Sequence, residues 1–247
     1  MKRVVEGEIV VTEAQDYCTR HGWYKNKKGE VKGLYVETAC PRCSGEVVAA
    51  NEDDRVVELS RKSLIPKRFK NKTLAGYSAE SPDQKKAFNI CSAYAEGFED
   101  RYKQGGGLVM CGRPGTGKTH LSCAIANYVI ETFAMQAVYM TVIEALRKVK
   151  DTYGTAQSEQ VVIDGFCKPK LLILDEVGVQ FGTDTEKMIL FEIMDNRYKE
   201  MKPTILISNL SFDELHGYVG DRVMDRMKEG GGAIIGFGWS SYRQQAA

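Results

Sequence analysis

Five short apolar runs, at 107–111, 137–141, 171–174, 204–208 and 233–237, punctuate the C-terminal three quarters of the chain. Leu171-Leu172-Ile173-Leu174 leaves no polar position for a solvent-facing side, so it reads as a strand buried on both faces. The segments between these runs read as helices. The first helix follows Ser81-Pro82-Asp83, where Ser81 can cap it and Pro82 suits its first turn. Ala87, Ile90, Tyr94 and Phe98 then recur with helical spacing. Strands alternating with helices predict an α/β fold, a parallel sheet with helices on both faces. Before residue 60 the pattern changes to short Gly-, Lys- and Glu-rich segments, followed by a charged run at 51–61 that reads as a short helix or a linker. Two domains are therefore expected, 1–60 and 61–247. There is no internal repeat and no low-complexity tract.

Composition narrows the class. At 247 residues the chain can hold one α/β domain and a small appendage, and its net charge of +1 leaves nucleic-acid affinity to local patches. No stretch approaches the ~20 apolar residues that span a bilayer. The start, Met-Lys-Arg-Val-Val-Glu-Gly, lacks the apolar core of a secretory signal, so the expected compartment is the cytoplasm, with no membrane partner. Seven cysteines, an odd number, argue against a disulfide framework. Cys91, Cys111, Cys123 and Cys167 are expected to be small buried apolar residues.

The strand at 107–111 runs into Gly112-Arg113-Pro114-Gly115-Thr116-Gly117-Lys118-Thr119, which matches G-x-x-x-x-G-K-[ST] at every fixed position. Glycines let successive backbone N–H groups curl around phosphates, Lys118 reaches the β- and γ-oxygens, and the Thr119 hydroxyl can ligate Mg²⁺. The helix that follows aims its positive end at the anion. A glycine-rich turn can be merely structural, but the preceding strand and following helix point to ATP. Leu171–Leu174 in turn ends in Asp175-Glu176, an acidic pair at the ligand-binding edge of such a sheet. Asp175 would hold Mg²⁺ and Glu176 would polarise the attacking water, unless the pair only caps a helix. The expected nucleotide-binding set is Gly112, Arg113, Pro114, Gly115, Thr116, Gly117, Lys118, Thr119, His120 and Asp175.

In the N-terminal region, Cys18-Thr-Arg-His21 and Cys40-Pro-Arg-Cys43 have the spacing of zinc ligands carried on tight turns. The apolar residues between them, Trp23, Tyr24, Val31, Leu34 and Tyr35, are too few for a core without a staple. A closed structural Zn²⁺ site is the expectation, against a set of unrelated thiols and a histidine. Asn209 ends the strand at 204–208, where it could face the γ-phosphate or cap the next helix. Arg222 and Arg226 share a helix face, which suits an anion, although a solvated charged helix carries the same pattern. Arg147, Lys148, Lys150 and Tyr153 collect at a helix end. That combination suits single-stranded DNA, but cations also suit a helix C-terminus.

Several of these strings together resemble the DnaC-type helicase loaders of the AAA+ ATPases and their phage-encoded relatives, over nearly the whole chain. Residues 112–119 look like the family's Walker A and residues 171–176 its Walker B. Asp175-Glu176-Val177-Gly178-Val179-Gln180 is similar to D-E-I-G-V-Q, and Gly220-Asp221-Arg222-Val223-Met224-Asp225-Arg226-Met227 to G-E-R-V-M-D-R-M. Phe237-Gly238-Trp239-Ser240-Ser241-Tyr242-Arg243 matches F-x-W-x-S-Y-R, and Ile65-Pro66-Lys67-Arg68-Phe69 resembles I-P-x-R-F.

The resemblance implies a five-stranded AAA+ P-loop domain with a small zinc-ribbon-like domain before it. It implies a sensor 1 role for Asn209, an arginine finger acting in trans at Arg222 or Arg226, and a sensor 2 role for Arg243. It further implies single-stranded DNA at the helix of Arg147–Tyr153, helicase docking by the N-terminal region, and self-association on the ring of a replicative DnaB-type helicase. The function implied is ATP-dependent helicase loading at replication initiation. The N-terminal region departs from the bacterial DnaC pattern. Two rivals remain open. One is an IstB-type transposition ATPase acting on duplex DNA, whose Walker B is typically followed by G-Y rather than Gly178-Val179-Gln180, and the other is a nucleotide-gated adaptor that hardly hydrolyses ATP.

Overall fold

The computed structural model describes residues 4–6, 9–31, 34–179 and 183–242. The chain forms two compact units, Met1–Arg55 and Val56–Ala247.

The first unit is an antiparallel meander of β1 (Val4–Glu6), β2 (Ile9–Cys18), β3 (Gly22–Val31) and β4 (Leu34–Glu37). The β2–β3 register pairs Cys18 with Gly22 and Tyr17 with Trp23. Among residues 15–27, 38–44 and 53–55, the buried side chains are Asn26 and Cys40. Asn26 donates to Asp16 Oδ2 at 3.0 Å and accepts from the Thr38 hydroxyl at 2.8 Å, so the centre is polar and hydrogen-bonded. Helix α1 (Pro41–Lys62) starts with Pro41 in its first turn. The charged run at 51–61 is thus helical, the C-terminal part of α1.

In the second unit, five parallel strands carry the fold: β5 (Leu108–Gly112), β6 (Ala137–Thr141), β7 (Leu171–Asp175), β8 (Thr204–Ile207) and β9 (Ala233–Phe237). Their spatial order is β6-β7-β8-β5-β9, with every pairing parallel. Alternate residues feed opposite layers, as the two-residue period of a strand requires. Leu108, Met110, Leu171, Ile173, Ile205 and Ile207 face one apolar cluster, with Cys91 and Tyr94 of α2 (Pro82–Glu96) and Leu121, Ile125 and Val129 of α4 (Lys118–Phe133). Val109, Cys111, Leu172, Leu174 and Leu206 face the other, against α5 (Val142–Lys150), α6 (Glu159–Gly165), α7 (Asp184–Lys199), α8 (Phe212–Val219) and α9 (Asp221–Lys228). A short α3 (Phe98–Gln104) precedes β5.

Helix α2 begins as the sequence predicts, with Ser81 accepting from the Gln84 N–H and Pro82 in the first turn. Cys91 and Cys123 are buried, and burial pushes each thiol up to about 12, which keeps it protonated and inert. Cys111 is buried too, whereas Cys167 is only half-buried.

Arg197 is fully buried. It donates to Thr204 Oγ1 at 2.8 Å, to the Phe166 carbonyl at 2.6 Å, to Pro169 at 3.2 Å and to Pro203 at 2.6 Å. The guanidinium therefore ties α7 to the loops that enter β7 and β8, although burial lowers its pKa to about 10. Arg197→Met would strand those acceptors in a dry interior, where each buried unpaired group costs about 1–3 kcal/mol. We expect a loss above about 3 kcal/mol, read as a lower urea midpoint for the second unit. An unchanged midpoint would show that the site collapses or hydrates without cost.

Candidate functional site

The parallel order places β8 between β7 and β5, so the loops after these three strands meet at one edge of the sheet. The turn after β5 begins at Gly112, whose φ of +120° favours glycine and whose missing Cβ would stand 2.5 Å from the Phe237 carbonyl. It ends at Gly117, also at positive φ, which is the N-cap of α4. A Cβ there would meet the Tyr77 ring at 2.6 Å. Helices α2, α5, α7 and α8 each start with a Ser or Thr capping box, at Ser81, Thr141, Thr183 and Ser211. No side chain caps α4. Its first N–H groups and the positive end of its dipole are left for an anion.

The Lys118 ammonium is folded back over the loop, 2.7 Å from the carbonyls of both Gly112 and Arg113. Thr119 Oγ1 donates to Asp175 Oδ2 at 2.9 Å, joining residues expected to share Mg²⁺. Asp175 is buried, and its carboxylate also accepts from the Tyr139 hydroxyl at 2.8 Å and the Glu176 N–H at 2.7 Å. A hydroxyl and a carboxylate are the hard oxygen donors that Mg²⁺ takes, so Thr119 and Asp175 fit that ion. Glu176 is exposed beside them with φ at +62°, a conformation that non-glycine residues rarely hold. Strain of this kind concentrates at working sites.

Three contributors were not legible in the sequence. Tyr139 lies on β6 and reaches Asp175 only because β6 pairs with β7; burial and the nearby carboxylate push its phenol up, so it stays a donor. Tyr77 and Trp239 both donate to the Thr116 carbonyl, at 3.3 and 3.0 Å, and so hold the loop from two sides. The indole lies inside the F-x-W-x-S-Y-R string, which was the available signal. His120 bonds the Thr73 carbonyl at 3.2 Å and packs edge-on against Tyr77, so its imidazole supports the loop's neighbour. Asn209 is exposed at the end of β8, and the cap of α8 is Ser211. Arg243 and Gln180 lie outside the described residues.

The arginines of α9 differ. Arg226 is half-buried in an ion pair with Asp195 and stacks over Tyr198 at 4.3 Å. Arg222 is two-thirds exposed, 3.7 Å from the same carboxylate. The anion that reconciles these like charges is thus supplied, at least in part, by α7. At the end of α5, Arg147 and Lys148 are exposed, while Lys150 pairs with Glu186 at 2.8 Å. Tyr153 lies in the turn beyond the helix, and it too is exposed.

In the first unit, ligand atoms of Cys18, His21, Cys40 and Cys43 lie within 4.8 Å of one another. Cys18 Sγ is 3.6 Å from Cys43 Sγ, and His21 Nδ1 is 3.7, 3.7 and 3.2 Å from Cys18, Cys40 and Cys43. A tetrahedron with ~2.3 Å metal–sulfur and ~2.0 Å metal–nitrogen bonds has edges of about 3.5–3.8 Å, so this donor set fits a tetrahedral ion. The first pair sits on the β2–β3 turn as predicted. The second occupies the start of α1 rather than a free-standing turn, because Pro41 initiates a helix there. The Arg20 N–H leads the interactions that lower the Cys18 thiol to about 6.

This sheet order, with an uncapped phosphate loop facing a buried aspartate and an adjacent glutamate, defines an ATPase of the AAA+ class. A family model described as IstB-like ATP binding protein matches residues 49–244. The replicative helicase loader DnaC of Escherichia coli (strain K12) is 30% identical over 201 residues, 80% of each chain. DnaC of Buchnera aphidicola subsp. Schizaphis graminum is 31% identical over 203 residues, 81% of each chain. A crystal structure of the DnaC helicase loader superposes with a TM-score of 0.62 at 21% identity, covering 70% of this chain and 99% of that one. The chain belongs to the family of IstB-like ATP binding proteins, and its DnaC relatives lie within the same similarity.

Burial lowers Lys118 from its ordinary 10.5 to about 8, with Asp175 opposing the fall. ATP favours the ammonium, so above pH ~8 binding has to take up a proton. We expect affinity to be flat below pH ~8 and to fall by up to about tenfold per unit above it, with calorimetry in different buffers reporting proton uptake. Affinity independent of pH between ~8 and ~9.5 would refute this coupling. Stability follows the opposite course: the burial penalty is full below pH ~8 and is relieved as the pH rises toward the unfolded value.

Proposed function

We propose that this chain is an ATP-dependent loader that places a replicative DnaB-type helicase on single-stranded DNA at replication initiation. The observation that carries the reading is the match to DnaC at 30% identity over 201 residues, 80% of both chains. The transposition reading has only the breadth of the family description in its favour. The loader would act in the cytoplasm. Among the described residues no helix is long and apolar enough to cross a membrane.

In this proposal ATP lies across residues 112–119, with the Lys118 ammonium leaving the loop carbonyls for the phosphates. Thr119 and Asp175 hold Mg²⁺, which neutralises charge on the phosphates when bound. Glu176 orients the attacking water, and Asn209 faces the γ-phosphate from β8. Arg222 is the better arginine finger for a neighbouring copy on the helicase ring, since Arg226 is held by Asp195. Arg243 senses nucleotide from beyond β9. Arg147, Lys148 and Tyr153 contact single-stranded DNA, and Lys150 joins them if its bond to Glu186 opens.

The full chain should co-purify with the replicative helicase of its host and raise helicase deposition on single-stranded circles. Glu176→Gln should keep ATP binding and lower hydrolysis by about 10²-fold or more, since positioned acid–base groups contribute ~10²–10⁴-fold. Capture of a transposase with duplex DNA, and of no replicative helicase, would end the loader reading.

Cys18, His21, Cys40 and Cys43 hold one structural Zn²⁺ that staples residues 1–60, the unit that docks on the helicase. The convergence of the four ligand atoms within 4.8 Å of one another supports this. Metal analysis of protein purified without chelator should give one zinc per chain. Chelation should expose the first unit to protease while ATP binding persists. A metal-free protein with a protease-resistant first unit would rule the staple out.

A further inference from the structure

One face of the β2–β3 hairpin carries chemistry that neither the nucleotide site nor the metal cluster uses. The register pairs Tyr17 with Trp23 and Gln15 with Lys25, and Lys27 follows Lys25 two residues on, so these five positions share one side of the hairpin. All five are exposed. The opposite side carries Asp16 and Asn26, with Asn26 buried. Trp23 is 71% exposed and Tyr17 57%, their rings 5.3 Å apart at 68°. The edge-on contact fixes the pair while leaving ring faces to solvent. Lys25 and Lys27 stand about 7 Å apart along the strand, with Gln15 opposite Lys25 and Glu13 opposite Lys27, so Lys25 is the cation of this face with no acidic residue directly across from it.

The geometry points to a second single-stranded nucleic-acid site on this hairpin: bases stack on Trp23 and Tyr17 while Lys25 and Lys27 neutralise the adjoining phosphates. Exposed rings followed by a row of cations along the same strand match a polymer that alternates π-faces with negative charge. A protein hot spot would instead set its aromatics in a central apolar pocket with a polar rim. Here the rings stand proud of the sheet, their next neighbours along the face are the Gln15 amide and the Lys25 ammonium, and the one acidic position, Glu13, lies beyond these, opposite Lys27. Duplex DNA shows no free base faces, so stacking selects the single strand. The inference does not rest on the loader reading, since it needs neither a helicase nor ATP.

The test uses full-length protein purified without chelator, in a background carrying Arg147→Ala and Lys148→Ala to weaken the contacts assigned to the second unit. Anisotropy of labelled oligo(dT), with no helicase present, is the readout. Residual binding should fall about 5- to 150-fold with Trp23→Ala and be largely kept by Trp23→Phe. Lys25→Ala with Lys27→Ala should lower the slope of log affinity against log salt by about 1.4. In the unmutated protein, a bromodeoxyuridine oligonucleotide should photocrosslink to Tyr17 or Trp23, a reading that no folding defect can disturb. Crosslinks confined to the second unit, or a background that binds no oligo(dT), would overturn the site. So would a Trp23→Ala protein that binds oligo(dT) normally and loses only a protein partner.

Discussion

The buried carboxylate of Asp175 is the constraint on which the nucleotide domain depends. A charge removed from water is tolerated only when donors surround it. Here they come from Thr119 at the start of α4, from Tyr139 on β6 and from the Glu176 N–H at the strand's own end. Each donor requires a different part of the fold to be in register. Thr141 must pair with Asp175 for Tyr139 to arrive, and α4 must pack on the sheet for Thr119 to arrive. Satisfying one carboxylate thus fixes the phosphate loop, the acidic strand end and the edge strand in a single arrangement.

The same economy governs the loop itself. Helices α2, α5, α7 and α8 each close their own N-terminus with a Ser or Thr side chain, and α4 starts at Gly117 with no side chain to do so. Its orphan N–H groups require an anion, and Lys118 supplies the matching charge. That ammonium rests on two loop carbonyls in a partly desolvated place, and the desolvation is why its proton is loosely held. Tyr77 and Trp239 both bond the Thr116 carbonyl from outside the loop. The loop is therefore preorganised by neighbours, and ligand binding need not order it.

Charge is divided differently at α9. Asp195 binds Arg226 closely and Lys199 at 2.5 Å, so one carboxylate neutralises the inner side of the helix. Arg222 remains on the outside, partly over the Phe191 ring. Two arginines that look equivalent in sequence are thereby separated into one held closely by α7 and one that remains two-thirds exposed. In the first unit the balance is reversed, with aromatic rings outside and a hydrogen-bonded asparagine within. The Cys–His cluster lies in the same unit, where its four ligand atoms fall within 4.8 Å of one another.

Local chemistry was legible wherever spacing alone dictates geometry. The five strands, the phosphate loop, Asp175-Glu176, the Ser81-Pro82 helix start and the paired Cys–His motifs follow from short-range periodicity and from ligand spacing, which survive in a one-dimensional reading. The four-stranded meander of the first unit did not show. Its strands carry many charged and polar residues, so no regular hydrophobic alternation marks them, and only the pairing of β2 with β3 reveals that Tyr17 and Trp23 share a face. Likewise Tyr139 in a buried strand looks like any core aromatic until β6 is set beside β7. Ser211 rather than Asn209 caps α8, and Asp195 rather than a ligand meets Arg226, because those outcomes depend on which side chains converge in space. Spacing along the chain determined the chemistry available to this protein, and tertiary packing decided which of those groups were already satisfied and which were left free to act.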